Sequence, residues 1–328
     1  SSGSANPATN SDPRWTGLAT TSTLWFPFAG GYASSPAVSF NFGQKAFTYT
    51  PPTGFRSLST SNLPTPTIVK PSEHFDTVTY TGNSSTKSIS SLNFKPDLVW
   101  IKGRSYGSSN HILNDIVRGP NKTLFSNQSL AEYTDRGIES FDSNGFSLSG
   151  TEGGDANADT QTYVAWNWKG SNATTTNTAG SITSVVSANP TAGFSVINYT
   201  GTGASGAVGH GLSSTPNFII FKQRSGGAGS GVQDWGTYHS SIGSTGAVRL
   251  NLNNANVTNS TYFNNATPTA TVINLGSFQN YNELNGNFIA YAFSEVPGYS
   301  KFGGYTGNNS SDGVFVYTGF KPRWIMIK

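Results

Sequence analysis

Four histidines, sixteen carboxylates and a dense set of aromatic rings are the groups in this chain that can do chemistry. The histidines are His74, His111, His210 and His239, and none stands in an HxH or HExxH spacing. His210, within Gly209-His210-Gly211-Leu212, reads as a residue that hydrogen-bonds its own turn. Trp235, Tyr238 and His239 fall close together and are the candidate ligand-contacting residues, since aromatic faces and polar edges suit sugar rings. The competing reading is a loop packed on its own core. Glycoside hydrolysis needs two carboxylates about 5 to 10 Å apart. Asp155 with Asp159 and Glu139 with Asp142 are examples of pairs that could meet, and neither recurs as a carboxylate pair in the second unit. The run Asp155-Ala156-Asn157-Ala158-Asp159 offers oxygens to Ca²⁺ but lacks the loop spacing and terminal Glu of a calcium loop. No GxSxG, no Walker loop and no SxxK with a partner motif appears. The sequence therefore assigns no catalytic, metal-binding or cofactor-binding residue.

Composition narrows the classes further. Of 328 residues only 11 % are charged, against about 25 % in typical soluble proteins. Ser, Thr, Asn and 38 Gly take their place, which is not how long wet-faced helices are written. There is no Cys, so disulfides, thiol nucleophiles and Cys-ligated clusters are excluded. The net charge is +3 with no basic cluster, so nucleic acid is not an expected partner. No 18-residue apolar run predicts a membrane span. The chain opens on Ser1 without Met and ends on Lys328 inside an expected strand, which reads as a segment of a longer polypeptide.

Three signatures recur in order. Phe75 to Gly82, with Tyr80-Thr81-Gly82, returns as Phe194 to Gly201 with Tyr199, and again as Phe315 to Gly319 with Tyr317. Pro96 to Lys102 returns as Pro216 to Lys222 and as Pro322 to Lys328. Tyr163 to Trp168 returns as Phe288 to Phe293. The spacings are 199 − 80 = 119, 317 − 199 = 118 and 222 − 102 = 120 residues. That period suits a self-contained domain and is too long for a solenoid rung. The expected divisions are 1–69, 70–179, 180–304 and 305–328, the last being the truncated start of a third repeat. Gly170 to Gly180 reads as a flexible linker.

The elements must position these residues. Leu98-Val99-Trp100-Ile101 and Phe218-Ile219-Ile220-Phe221 are apolar runs of strand length, which predicts central strands covered on both faces. Asp142-Ser143-Asn144-Gly145 predicts a hairpin. In Tyr163 to Trp168 the Val164, Trp166 and Trp168 set is expected to face the core. A short helix is expected near 129–136. Lys102, Arg104, Lys222, Arg224 and Lys328 read as cationic strand ends that keep edges soluble. The fold class is all-β, as tandem β-sandwich domains in an elongated chain, with an up-and-down barrel as the rival.

Phe40 to Gln44, Phe47 to Phe55 and Ser61 to Pro64 resemble the closing strands of SPRY domains in phage proteins, a concanavalin-like β-sandwich. Arg56 to Ser61 stands where those proteins often carry a Lys-Ala-Leu-Cys-Thr-type run, so residues 1–69 are expected to be the C-terminal part of an incomplete SPRY-like domain and a linker. Val78 to Asn83, Pro96 to Lys102, Tyr163 to Lys169 and Glu295 to Gly307 are similar to repeated domains in large tail-fibre or appendage proteins of marine and cyanobacterial bacteriophages. This resemblance implies a non-catalytic structural and host-attachment module on a virion. Its implied partners are other virion proteins, a host cell-surface glycan or protein, and further copies of itself, as a homotrimer. The alternatives are a secreted carbohydrate-binding or depolymerising module and a capsid decoration protein.

Overall fold

Leu98–Gly103 is a strand whose four leading residues are all buried, as an uninterrupted apolar run requires when both faces of a sheet are covered. The computed structural model describes residues 41, 43–48, 50, 57, 66–150, 153–229 and 231–328. The chain divides into two compact units, Ser1–Thr65 and Pro66–Lys328. The SPRY-like portion expected over 1–69 lies almost wholly outside the described residues.

In the first repeat the elements are β1 (Phe75–Thr81), β2 (Lys87–Ile89), β3 (Leu98–Gly103), β4 (His111–Asp115), β5 (Lys122–Phe125), β6 (Tyr133–Thr134), β7 (Ile138–Asp142), β8 (Gly145–Leu148), α1 (Gly153–Ala156) and β9 (Thr162–Trp168). In the second they are β10 (Thr175–Asn177), β11 (Ser184–Asn189), β12 (Phe194–Thr200), β13 (Gly206–Gly209), β14 (Phe218–Gly226), β15 (Gly236–His239), β16 (Gly246–Ala247), β17 (Val257–Thr258), β18 (Val272–Leu275), α2 (Gln279–Asn282) and β19 (Gly286–Phe293). One large sheet runs β1-β9-β3-β4-β5-β6 and the other β10-β11-β12-β19-β14-β15, with every named pairing antiparallel. Small sheets β2-β8-β7 and β13-β18 accompany them. The all-β expectation holds, and the hairpin at 142–145 forms with Asp142 paired to Gly145. A Cβ on Gly145 would stand 1.6 Å from the Ile89 carbonyl oxygen, so only glycine fits there.

The repeats are equivalent down to single hydrogen bonds. Tyr80 pairs with Tyr163 and stacks on it at 5.3 Å; Tyr199 pairs with Phe288 and stacks on it at 5.2 Å. The Tyr80 hydroxyl donates to the Ala156 carbonyl of α1, and the Tyr199 hydroxyl to the Tyr281 carbonyl of α2. Pro96 and Pro216 are buried just before the central strands, where the missing N–H costs no ladder bond. The next residues then donate equivalently, Asp97 N–H to the Trp168 carbonyl and Asn217 N–H to the Phe293 carbonyl.

Three main cores follow from strand alternation. Val99, Ile101, Tyr163 and Ala165 pack with Phe146 and Leu148 of the small sheet. Ile219, Phe221, Phe288 and Ala290 pack with Val208 and Ile273 of the other small sheet. The opposite strand faces join in one cluster, with Leu98, Trp100, Leu113 and Trp168 against Phe194, Ile220, Ile289 and Tyr291. Two β-sandwiches thus share a central core face to face. The repeats, expected as successive domains of an elongated chain, are mated within Pro66–Lys328.

Several local expectations change for the same reason. In β9 Trp168 is buried in the shared core and Trp166 packs against it, as expected, while Tyr163, Ala165 and Asn167 are buried on the other face, where Tyr163 and Ala165 meet the repeat's own small sheet. The stretch expected to be a flexible linker is pinned. The buried Asp97 carboxylate accepts from Gly170 N–H at 2.7 Å, Asn172 N–H at 3.0 Å and the Ser187 hydroxyl at 2.5 Å. Residues 175–177 of that stretch pair with β11, so the expected boundary at 179/180 falls inside a hairpin of the second sheet. Among the described residues the α-helices are α1 and α2, while residues 129–136 contain β6 instead. Residues 305–328 carry no strand.

Candidate functional site

The seam between the repeats carries the polar chemistry. Arg118 is fully buried; its Nε donates to Asp115 Oδ2 at 2.5 Å and its Nη1 to Glu132 Oε2 at 3.0 Å. Arg224, from the second repeat, donates to both Glu132 oxygens at 2.8 and 2.9 Å. The Tyr291 hydroxyl donates to Asp115 Oδ2 at 2.7 Å. Two positive and two negative charges balance, so the network closes without net charge. The two guanidiniums hold the Glu132 carboxyl below its usual range against its burial.

The signature lysines do not cap exposed edges. Strands β3 and β14 are interior, and their lysines tie down the following loops. Lys102 Nζ donates to the Ser109 carbonyl at 2.5 Å, and Lys222 Nζ, on a fully buried residue, donates to the Gln233 carbonyl and across the seam to the Ser129 carbonyl at 3.0 Å. Burial pulls the Lys222 ammonium down to about 7. An unfolded lysine titrates near 10.5, so between pH 7 and 10.5 the unfolded chain binds a proton the folded one has released. Stability from this group therefore rises with pH across that window, by about 3 kcal/mol between pH 7 and 9.5. Above pH 10 the trend reverses, because Tyr199, Tyr281 and Tyr291 are held above their ordinary value by burial. Guanidinium unfolding from pH 6 to 11 should show a maximum near pH 9 to 10, and Lys222→Met should flatten the rise. A monotonic fall above pH 7 would contradict it.

The candidate ligand-contacting residues do not form a surface. Trp235 is fully buried in the shared core, and its indole N–H donates across the seam to the Phe125 carbonyl at 2.8 Å and the Gln128 carbonyl at 3.1 Å. Tyr238 is buried in the second repeat's own core, on the opposite face of its sheet. His239 is half-buried against Phe218, and its Nδ1 accepts the Ser241 N–H. The three are consecutive enough to suggest a patch, but strand alternation sends Trp235 and Tyr238 to different cores. His210 does hydrogen-bond its turn: Nδ1 accepts the Leu212 N–H and Nε2 donates to the Thr269 carbonyl. Asp155 is engaged by the Asn110 N–H and Arg136.

Among the described residues, the structure holds a pocket of about 340 Å³ at the seam. Its walls are the indoles of Trp100, Trp166 and Trp324, with His111, Asn127 and Asn251 supplying polar edges. Trp100 and Trp166 stand edge to face at 6.2 Å, and Trp324 lies 6.4 Å from Trp100. Trp100 Nε1 and His111 Nδ1 are buried with no hydrogen-bond partner. Burial, with Lys102 nearby, pulls the His111 imidazole down to about 4, so it is neutral at pH 7. Asn127 accepts the His111 backbone N–H, and Asn251 accepts the Trp235 backbone N–H and donates to Asp234. Such a constellation of apolar faces and neutral amides suits an uncharged, ring-shaped, hydroxyl-bearing ligand. No Asp or Glu lines it.

In the sequence Trp100 reads as part of a covered central strand, Trp166 as core-facing and Trp324 as part of a repeat signature, so none of the three stands out as a pocket wall. The available signal was parity: Trp100 and Trp166 are directly paired and share a sheet face. Asn157 and Asn282 were also missed, though each stands six residues before its closing strand signature (163 − 157 and 288 − 282). Each side-chain oxygen accepts an N–H of the loop after the first strand, from Asn83 or Thr202.

Residues 70–328 match a family described as a domain of unknown function (DUF7483), and the chain belongs to that family. No curated protein and no solved structure matches it.

Proposed function

We propose that this chain is a structural and host-attachment module of a phage fibre or virion appendage, and that it engages a neutral cell-surface glycan in the tryptophan-walled pocket. The phage assignment rests on the similarity of its repeat signatures and on a low-charge, cysteine-free, all-β make-up suited to an extracellular particle. The observation that carries the binding role is the pocket: three indoles from two regions of the chain, edged by Asn127, Asn251 and neutral His111. Stacking of sugar C–H faces on indoles, with amides reading hydroxyls, makes a shallow and individually weak site. Several copies on one particle raise its effective strength. The absence of a lining carboxylate favours retention of a glycan over its hydrolysis.

Glycan arrays followed by calorimetry on the full chain provide the test. Trp166 is half-buried, so Trp166→Ala should leave the fold intact and weaken glycan binding at least tenfold. Asn251→Ala should weaken it less. A chain that binds no glycan at millimolar concentration, or one whose binding is untouched by Trp166→Ala, would sink the reading.

A further inference from the structure

The pocket lies where equivalent corners of the two repeats meet. In the first repeat the corner is Asn110, His111, Ser126 and Asn127; in the second it is Asp234, Trp235, Leu250 and Asn251, at a constant offset (234 − 110 = 124 and 251 − 127 = 124). The backbone bonds match: the Ser126 N–H donates to the His111 carbonyl and the Leu250 N–H to the Trp235 carbonyl, both at 3.0 Å. The asparagines match as well. Asn127 Oδ1 accepts the His111 backbone N–H and Asn251 Oδ1 the Trp235 backbone N–H, both at 3.0 Å. Asn127 Nδ2 donates to Asn110 Oδ1 at 3.0 Å, and Asn251 Nδ2 to Asp234 Oδ1 at 2.7 Å.

Around this frame the repeats have diverged. Trp100 answers to Ile220, Trp166 to Tyr291, His111 to Trp235 and Ser126 to Leu250. The asparagine persists with both of its bonds, and the two asparagines line the same pocket. Tying a strand corner accounts for one asparagine in each repeat, but it does not require both to line one cavity.

An asparagine amide has two N–H donors and an oxygen with two lone pairs. Each amide here spends one donor and one lone pair on its own corner. Those bonds also fix which end is oxygen, since a turned amide would set its N–H against a backbone N–H. One donor and one lone pair then remain on each. A hydroxyl both donates and accepts, so it is the group that satisfies such a remainder.

We propose that Asn127 and Asn251 are a matched pair of hydroxyl-reading residues, one from each repeat, with Asn110 and Asp234 as their positioning residues, and that the ligand is a single neutral hexopyranose ring with free hydroxyls on two separate edges. The proposal rests on the reading of the pocket as a glycan site and adds which groups of the sugar it selects. Because the two amides come from different repeats, one ring satisfies both, and neither repeat alone holds the complete site.

The methyl glycosides of glucose, galactose and mannose serve as probes. Each is titrated into the full chain to high millimolar concentration while the side-chain amide signals of Asn127 and Asn251 are followed by NMR. At least one probe should move both amides with a common midpoint and one ring bound per chain. Asn110→Leu and Asp234→Leu should each weaken that sugar by about three- to tenfold, the scale of one net hydrogen bond. Asn110→Asp and Asp234→Asn keep the acceptor oxygen and should restore affinity to within about twofold of wild type. The amide shifts of the wild-type chain need no variant, so they decide the matter even where a leucine variant fails to fold. A sugar that moves only one of the two amides, folded leucine variants that bind as wild type does, or no response to any of the three probes would each overturn the assignment. If array glycans still bind and Trp166→Ala still releases them, the pocket reading survives that failure. A chain that binds no glycan at all removes both.

Discussion

Arg118→Met is expected to destabilise Pro66–Lys328 by about 3–5 kcal/mol, the scale for removing one partner from a buried ion pair. The Arg118 side chain has no solvent exposure, and neither has that of Asp115. The substitution strands the Asp115 carboxylate with only the Tyr291 hydroxyl and the Arg118 backbone N–H as donors. It also removes the donor to the Leu113 carbonyl and one of two guanidiniums on Glu132. Adding Asp115→Asn should recover part of the loss, because the stranded charge then disappears. Lys70→Ala is the contrast: its ion pair with Glu73 is on the surface, and its loss should cost under about 1 kcal/mol. Equilibrium unfolding in guanidinium separates the cases. A cost for Arg118→Met no larger than that of Lys70→Ala would show that the seam network carries no stability.

Trp235→Ala should cost about 3–5 kcal/mol as well, the range for deleting a buried tryptophan. Its indole fills the shared core and its N–H satisfies two carbonyls of the other repeat, those of Phe125 and Gln128. Trp235→Phe keeps most of the ring and loses the donor, so it should fall between wild type and Trp235→Ala. A surface sugar platform predicts the reverse pattern, with unchanged melting temperature and lost binding. An unchanged midpoint for Trp235→Ala would contradict the buried placement.

What the sequence disclosed and what it hid have one physical origin. Strand identity was legible because Leu98 to Ile101 is an apolar run with β-branched and aromatic residues, and such a run needs cover on both faces. The run does not say what provides the cover. Residues Leu98 and Trp100 meet the other repeat, while Val99 and Ile101 meet their own small sheet, and both pairs are written in the same apolar alphabet. Mating of the repeats was therefore invisible. The same ambiguity hid the true walls of the pocket. Trp235, Tyr238 and His239 read as a sugar-stacking patch because their rings lie close in sequence, and nothing in the sequence says which core each ring enters. Lys102 and Lys222 looked like solvated strand ends, since a lone lysine carries no sign that carbonyls just before the next strand will enclose it. The third copy was legible as a repeat, and its lack of strands was not. That required knowing that the last strand of each unit is the middle strand of its sheet.

The shared core is the physical basis of both the pocket and the seam, and native-state hydrogen exchange in rising guanidinium tests it most directly. The account predicts that the slowest amides of β3 and β14 merge onto one global opening. They should have equal free energies and equal denaturant slopes, and both should shift together in Arg118→Met. Two separate openings, with β14 unmoved by that substitution, would mean that each repeat folds alone and that the seam is only a contact.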